Sequence, residues 1–294
     1  MKRRAVWGAL MAAAFTLLSM PAFAAAAEGE DFDPSLEFKV DPYWFDLKLG
    51  PFDMSINKAV IYLLLTTVII CVGGIWVVRG GLKMRPTKAQ NVVEMAYEFV
   101  EKQVAHQTIP HKGIPRWFPY LATLFLFVAV NNMISFIPLP MSHEADTFPA
   151  GIPDLGLYAA TANINVTLTL ASITFLATLV VGVQTHGVGG YVKTLIPDAP
   201  GAVKPFIFVI EVLSLLLRLV SLSVRLFANL LAGHLLIIMA GGFAVLVGSV
   251  IGAVAIPFAL FFYVFEWVLV AGLQAFIFAL LSGVYIGYAM EAPH

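Results

Sequence analysis

Between Pro205 and Met290 the sequence offers only four charged side chains, Glu211, Arg218, Arg225 and Glu266, with His234 as a further titratable group. The residues around them are almost all apolar. An ionisable group in such a setting costs at least ~2.5–3.5 kcal/mol on insertion scales, so each is a candidate for function. Glu211, Arg218 and Arg225 follow one another at intervals of seven, as do Ser214 and Ser221. On a helix that spacing forms one polar stripe, with Asn229 one turn beyond Arg225. His234 lies nearly on the opposite face, so the same helix presents a cation on one side and a second polar surface on the other. That second surface could line a separate wet path.

Other motifs point nowhere comparable. His106 and His111 lack a third ligand, so no metal site is expected. Gly187 to Gly190 has no following Lys-Ser or Lys-Thr and reads as a turn rather than a phosphate cradle. Asn165-Val166-Thr167 fits a glycosylation pattern but opens a membrane helix. No nucleophile–base pair and no nucleotide motif is present, so no catalysis and no cofactor is expected of this chain by itself.

Composition sets the class. Of 294 residues, 60% are hydrophobic and 12% charged, with a mean hydropathy of +0.88; soluble domains run at about 45–50% and about 25%. That excludes a soluble enzyme. A net charge of -1 argues against nucleic acid as a partner. The single cysteine, Cys71, sits in an apolar run and supports neither a disulfide framework nor a thiolate metal site.

Residues 1–24 read as a secretory leader: Lys2, Arg3 and Arg4, a short apolar stretch, then Ala22-Phe23-Ala24 as a cleavage signal. An uncleaved first membrane helix is the other reading. Residues 25–56 form an acidic segment on the outer side, and 57–290 a single membrane domain. Spans are expected at 57–78, 117–137 and 161–185, and an amphipathic interfacial helix at 88–103. Two overlong helices, 205–239 and 254–290, follow, with a turn through Gly241-Gly242, Gly248 and Gly252. Neither fits a bilayer core of about 30 Å upright, so a steeply tilted hairpin is expected. The fold class is thus an all-α polytopic membrane protein with about five membrane helices. The connection 79–116 carries seven Lys or Arg residues and 138–160 none. That orients the mature N-terminus outward and the C-terminus toward the cytoplasm.

The run Ser221-Leu222-Ser223-Val224-Arg225-Leu226-Phe227-Ala228-Asn229-Leu230-Leu231-Ala232-Gly233-His234 resembles the signature of subunit a of F-type ATP synthases. Asn165-Val166-Thr167, Gly187-Val188-Gly189-Gly190-Tyr191 and Leu273-Gln274-Ala275-Phe276-Ile277-Phe278 resemble further motifs of that family, so the likeness covers roughly 40–290. It implies a non-catalytic subunit in a bacterial-type inner membrane, set in lipid beside a rotating c-ring and held with peripheral-stalk b subunits in the whole complex. Two aqueous half-channels would load protons onto the ring's carboxylates and unload them. By the same resemblance Arg225 is the stator arginine; Asn229, His234, Glu266 and Gln274 match or lie near polar positions of the outer path, and Glu211 matches one on the exit side. Arg218 and Ser221 are supporting polar residues.

The match has departures. The best-known bacterial members carry Glu where His234 stands, and many members carry Asp where Asn163 stands. Glu266 precedes Gln274 by eight residues where seven is expected. One residue is about 100° of helix, so either a local bulge restores the register or Glu266 points elsewhere. A self-contained secondary transporter or channel is the rival reading, but such folds commonly show two related halves, and this sequence shows none.

Overall fold

The structure, a computed structural model, describes residues 48–49, 52–53, 57–80, 86–137, 158–194, 203–246, 257–258 and 260–291. The leader, most of 25–56 and the outer connection 138–157 lie outside the described residues. Apart from a two-residue antiparallel pairing of β1 (Lys48–Leu49) with β2 (Phe52–Asp53), the regular structure among the described residues is helical.

Five helices are long and apolar enough to cross a membrane. They are α1 (Lys58–Arg79), α3 (Ile114–Ile134), α4 (Ile164–Thr194), α5 (Lys204–Leu246) and α6 (Leu260–Met290). Asn57 caps α1, its side chain accepting from the Val60 N–H at 3.0 Å. Between α1 and α3 lies the amphipathic helix α2 (Lys88–Val100), capped by Thr87 and continued by a π-turn (Glu101–Ala105) and a short turn (His106–Thr108).

Helices α3, α4, α5 and α6 pack around a shared core that includes Val128, Leu222, Leu226, Leu230, Ala275 and Phe278. Helix α1 stands apart. Its first turns bury Ala59, Tyr62 and Thr66, while Val72, Ile75 and Trp76 further on are exposed. The short turn His106–Thr108 that follows α2 is wedged against α6, where a methyl group added to Gly283 or Gly287 would collide with Thr108. Small residues allow this close approach of backbones.

Two glycine regions behave differently. Gly187 takes φ 72, a left-handed conformation that folds the end of α4 back on itself. The ring of Tyr191 then fills the space left by Gly182. In contrast, Gly241 and Gly242, read above as the start of a turn, remain helical, and α5 runs on through Leu246. Membrane helices tolerate glycine, since each keeps its backbone hydrogen bonds internal in a medium that offers no others. At 43 residues, α5 is about 64 Å long, more than twice the hydrocarbon thickness. It cannot stand upright in a bilayer.

Candidate functional site

Helix α5 carries the site because its two faces differ. Leu222, Leu226 and Leu230 turn into the core, whereas Leu217, Val220, Ser221, Val224, Arg225, Ala228 and Asn229 lie on the open side. Arg225 therefore stands on an exposed, largely apolar stripe. Among the described residues it forms no ion pair and no side-chain hydrogen bond.

Two polar regions flank Arg225 along α5. Toward the N-terminal end, Glu211 and Arg218 approach to 3.9 Å, each side chain a little over a third exposed. The Arg218 guanidinium also sits 5.8 Å from the ring centroid of Tyr285 and 6.0 Å from that of Tyr288. An open groove of about 340 Å³ runs beside them, with Ser214, Arg218, Ser221 and Tyr285 in its lining. The two tyrosines were not singled out from sequence, because a tyrosine near the end of a membrane helix reads equally well as an interfacial anchor.

Toward the C-terminal end the polar residues, Asn229 apart, are buried. Asn229 Nδ2 donates to Gln274 Oε1 at 2.8 Å, tying α5 to α6. One turn on, Gly233 leaves a niche filled by the carboxylate of Glu266; a methyl group at Gly233 would fall on that carboxylate. His234 is buried beside Phe136, ring centroids 4.7 Å apart, and its Nδ1 donates to the Leu230 carbonyl at 3.1 Å. His234 Nε2 and both Glu266 oxygens are buried with no hydrogen-bond partner among the described residues. Buried polar atoms in this state call for an explanation such as water or a transferable proton. Gly233 is the residue missed in the sequence, although it stands inside the quoted run. What it does is visible only when α6 is laid against it.

Glu266 thus faces α5 and does not point away. The reason is a π-turn at Glu266–Val270, in which the Ala271 N–H donates to the Glu266 carbonyl five residues back. Such a turn absorbs one extra residue. Glu266 and Gln274, eight apart, are accordingly both 2% exposed. Arg225 and Asn229 share the open face, Glu266, His234 and Gln274 are inside, and Glu211 and Arg218 form a separate pair. Among the described residues no group of three His, Cys, Asp or Glu side chains could hold a metal ion.

Residues 60–287 match the family model described as ATP synthase A chain. The chain is 33% identical to the ATP synthase subunit a of Pelagibacter ubique over 89% of its own length and 99% of that protein. It is 36% identical to that of Frankia alni, over 87% and 85% respectively, and 34% identical to that of Chloroherpeton thalassium, over 86% and 73%. With five membrane-capable helices and relatives matched over nearly all of its length, the chain belongs to the ATP synthase A chain family, the proton-translocating membrane subunits of F-type ATP synthases.

Proposed function

We propose that this chain is the stationary half of a rotary proton path, with Arg225 as the cation that meets the carboxylates of a c-ring. The observation that carries this reading is the position of Arg225. It is exposed on the open face of α5, without an ion pair or side-chain hydrogen bond among the described residues, and has a polar region on either side of it along the helix. Counting along α5 at 1.5 Å per residue, Glu211 lies about 21 Å to one side of Arg225 and His234 about 14 Å to the other. In this reading a proton arriving through the His234–Glu266–Gln274 region does not pass Arg225 directly to the Glu211–Arg218 groove. It crosses only by riding a moving carboxylate.

The guanidinium suits that barrier. It stays protonated in proteins, so it attracts a carboxylate and discharges its proton without relaying one. The membrane potential supplies about 2.3 kcal/mol per charge per 100 mV, which the ring converts to rotation. ATP is made on other chains of the complex, and this one is not catalytic by itself. The buried cluster is assigned to the outer-side path and the Glu211–Arg218 groove to the cytoplasmic exit, following the basic connection 79–116 and the Lys/Arg-free connection 138–160. The C-terminus is then cytoplasmic, and peripheral-stalk b subunits hold the chain against rotation.

The test is proton flux in vesicles carrying the whole complex, with Arg225→Ala compared against the unmodified chain. ATP-driven pumping should vanish while the complex stays assembled, and passive conductance should persist or rise. Pumping that survives the substitution would overturn the assignment.

A further inference from the structure

The Glu266 register raises the question of what holds a π-turn in place. Eight α-helical residues turn through about 800°, roughly 80° beyond two full turns, whereas seven fall within about 20° of them. Without the π-turn, Glu266 would swing off the face it shares with Gln274. Yet i→i+5 turns are rare and are found mostly as local bulges. Some interaction outside the helix must favour this one.

The end of α3 supplies it. Three hydrogen bonds join the end of α3 and the turn after it to α6 at residues 263, 267 and 271, four apart, so that they bracket the π-turn. The Tyr263 hydroxyl donates to the Phe136 carbonyl. The Trp267 indole N–H donates to the Met133 carbonyl at 3.3 Å. The Asn132 amide donates to the Ala271 carbonyl at 3.5 Å, and its oxygen accepts from the Thr161 hydroxyl at 2.8 Å, which fixes the direction of the amide. Met133 is in the last turn of α3, where carbonyls have no partner within the helix. The Trp267 bond therefore satisfies an acceptor that would otherwise be orphaned in an apolar medium. Trp267 also stands seven residues before Gln274, the place where an α-helix would need the carboxylate.

We propose that Tyr263, Trp267 and Asn132 are positioning residues that clamp this π-turn, so that a carboxylate one residue out of α-helical register is aimed into the niche at Gly233. The inference rests on the reading of Glu266 as a group on the proton path. The clamp acts through Glu266 and touches no proton itself.

The experiment measures ATP-driven pumping, its pH profile and the amount of assembled complex in vesicles carrying the whole synthase. Deleting Val268 makes the Glu266–Gln274 interval seven residues, so a plain α-helix would present the same face and need no clamp. That chain should pump within about twofold of the unmodified one, the spread expected of independent sites. Combining Tyr263→Phe with Trp267→Phe should lower pumping in the unmodified chain about sevenfold, at the ~0.6 kcal/mol average of a membrane hydrogen bond, and should shift its pH profile. In the Val268-deleted chain the same pair should have little effect.

A deleted chain that assembles but does not pump overturns the register argument. So does an equal penalty from the Phe pair in both backgrounds. Should the deleted chain fail to assemble, the Phe pair decides: an unchanged pH profile overturns the proposal, and a shifted one supports it. Glu266→Gln tests the underlying reading separately, and normal pumping there would remove that reading and the clamp's purpose with it.

Discussion

Helix α5 exposes a charge on one face and packs against a buried carboxylate on the other. Arg225 stands on the open stripe with no ion pair or side-chain hydrogen bond among the described residues. Glu266 lies at 2% exposure in the gap left by Gly233, with neither oxygen hydrogen-bonded among the described residues. A charge buried without a partner is costly and a charge left open on a membrane helix is costly too. On the roles proposed above, the two solutions differ because the two groups need different things. A group that must meet a partner from outside needs an open, smooth approach, and the small or apolar residues Val224 and Ala228 provide it. A group that passes protons along needs enclosure and a fixed neighbour.

Exchanging the properties of the two sites should break this contrast, beginning with Arg225→Lys. An ammonium sheds its proton far more readily than a guanidinium, so the lysine should fail as a barrier despite its equal charge. ATP-driven acidification of vesicles should fall roughly a hundredfold, equivalent to about 2.8 kcal/mol. Full activity with lysine would mean that charge alone suffices.

Gly233→Ala addresses the enclosed side and leaves the open stripe untouched. The added methyl displaces the Glu266 carboxylate, and overpacking of about 1–3 kcal/mol corresponds to a fall on the order of tenfold. Combining it with Glu266→Asp, which withdraws the carboxylate by one methylene, should recover part of the loss. If the two defects simply multiply, the niche is not what couples them.

The smallest effect is expected at the half-exposed pair. Because such ion pairs contribute about 0–1 kcal/mol, Arg218→Gln should reduce pumping by no more than about fivefold. A collapse comparable to that of Arg225→Lys would show that the groove beside Ser214 and Tyr285 depends on this cation far more than its geometry suggests.

Much of this molecule is legible in its sequence. Spans, the amphipathic segment and the candidates on α5 follow from hydropathy and helical spacing. Arg225 stands out because an unaccompanied guanidinium in an apolar run has few structural uses. The length of α5 is less legible, since Gly241 and Gly242 would signal a turn in water yet stay helical here. Glu266 was ambiguous for a definite reason. One residue of offset sends the side chain to another face unless the backbone absorbs it, and the sequence of α6 alone carries no sign of that π-turn. Gly233 was equally silent, being small for no visible purpose until its neighbour is present.

By itself, then, the sequence determined the solvent this protein lives in, the order of its membrane helices and Arg225 as the candidate cation of the seventh-residue stripe. These depend on the transfer energies of residues taken along the chain, which need no knowledge of what packs on what. The tertiary structure alone decided which face of α5 stays open, what fills the space at Gly233 and where Glu266 points. Those outcomes rest on contacts such as the Trp267 indole on the Met133 carbonyl, between residues 134 apart in the chain. A π-turn one hydrogen bond away from an α-turn is chosen by such contacts, because local propensity separates the two alternatives too weakly to choose.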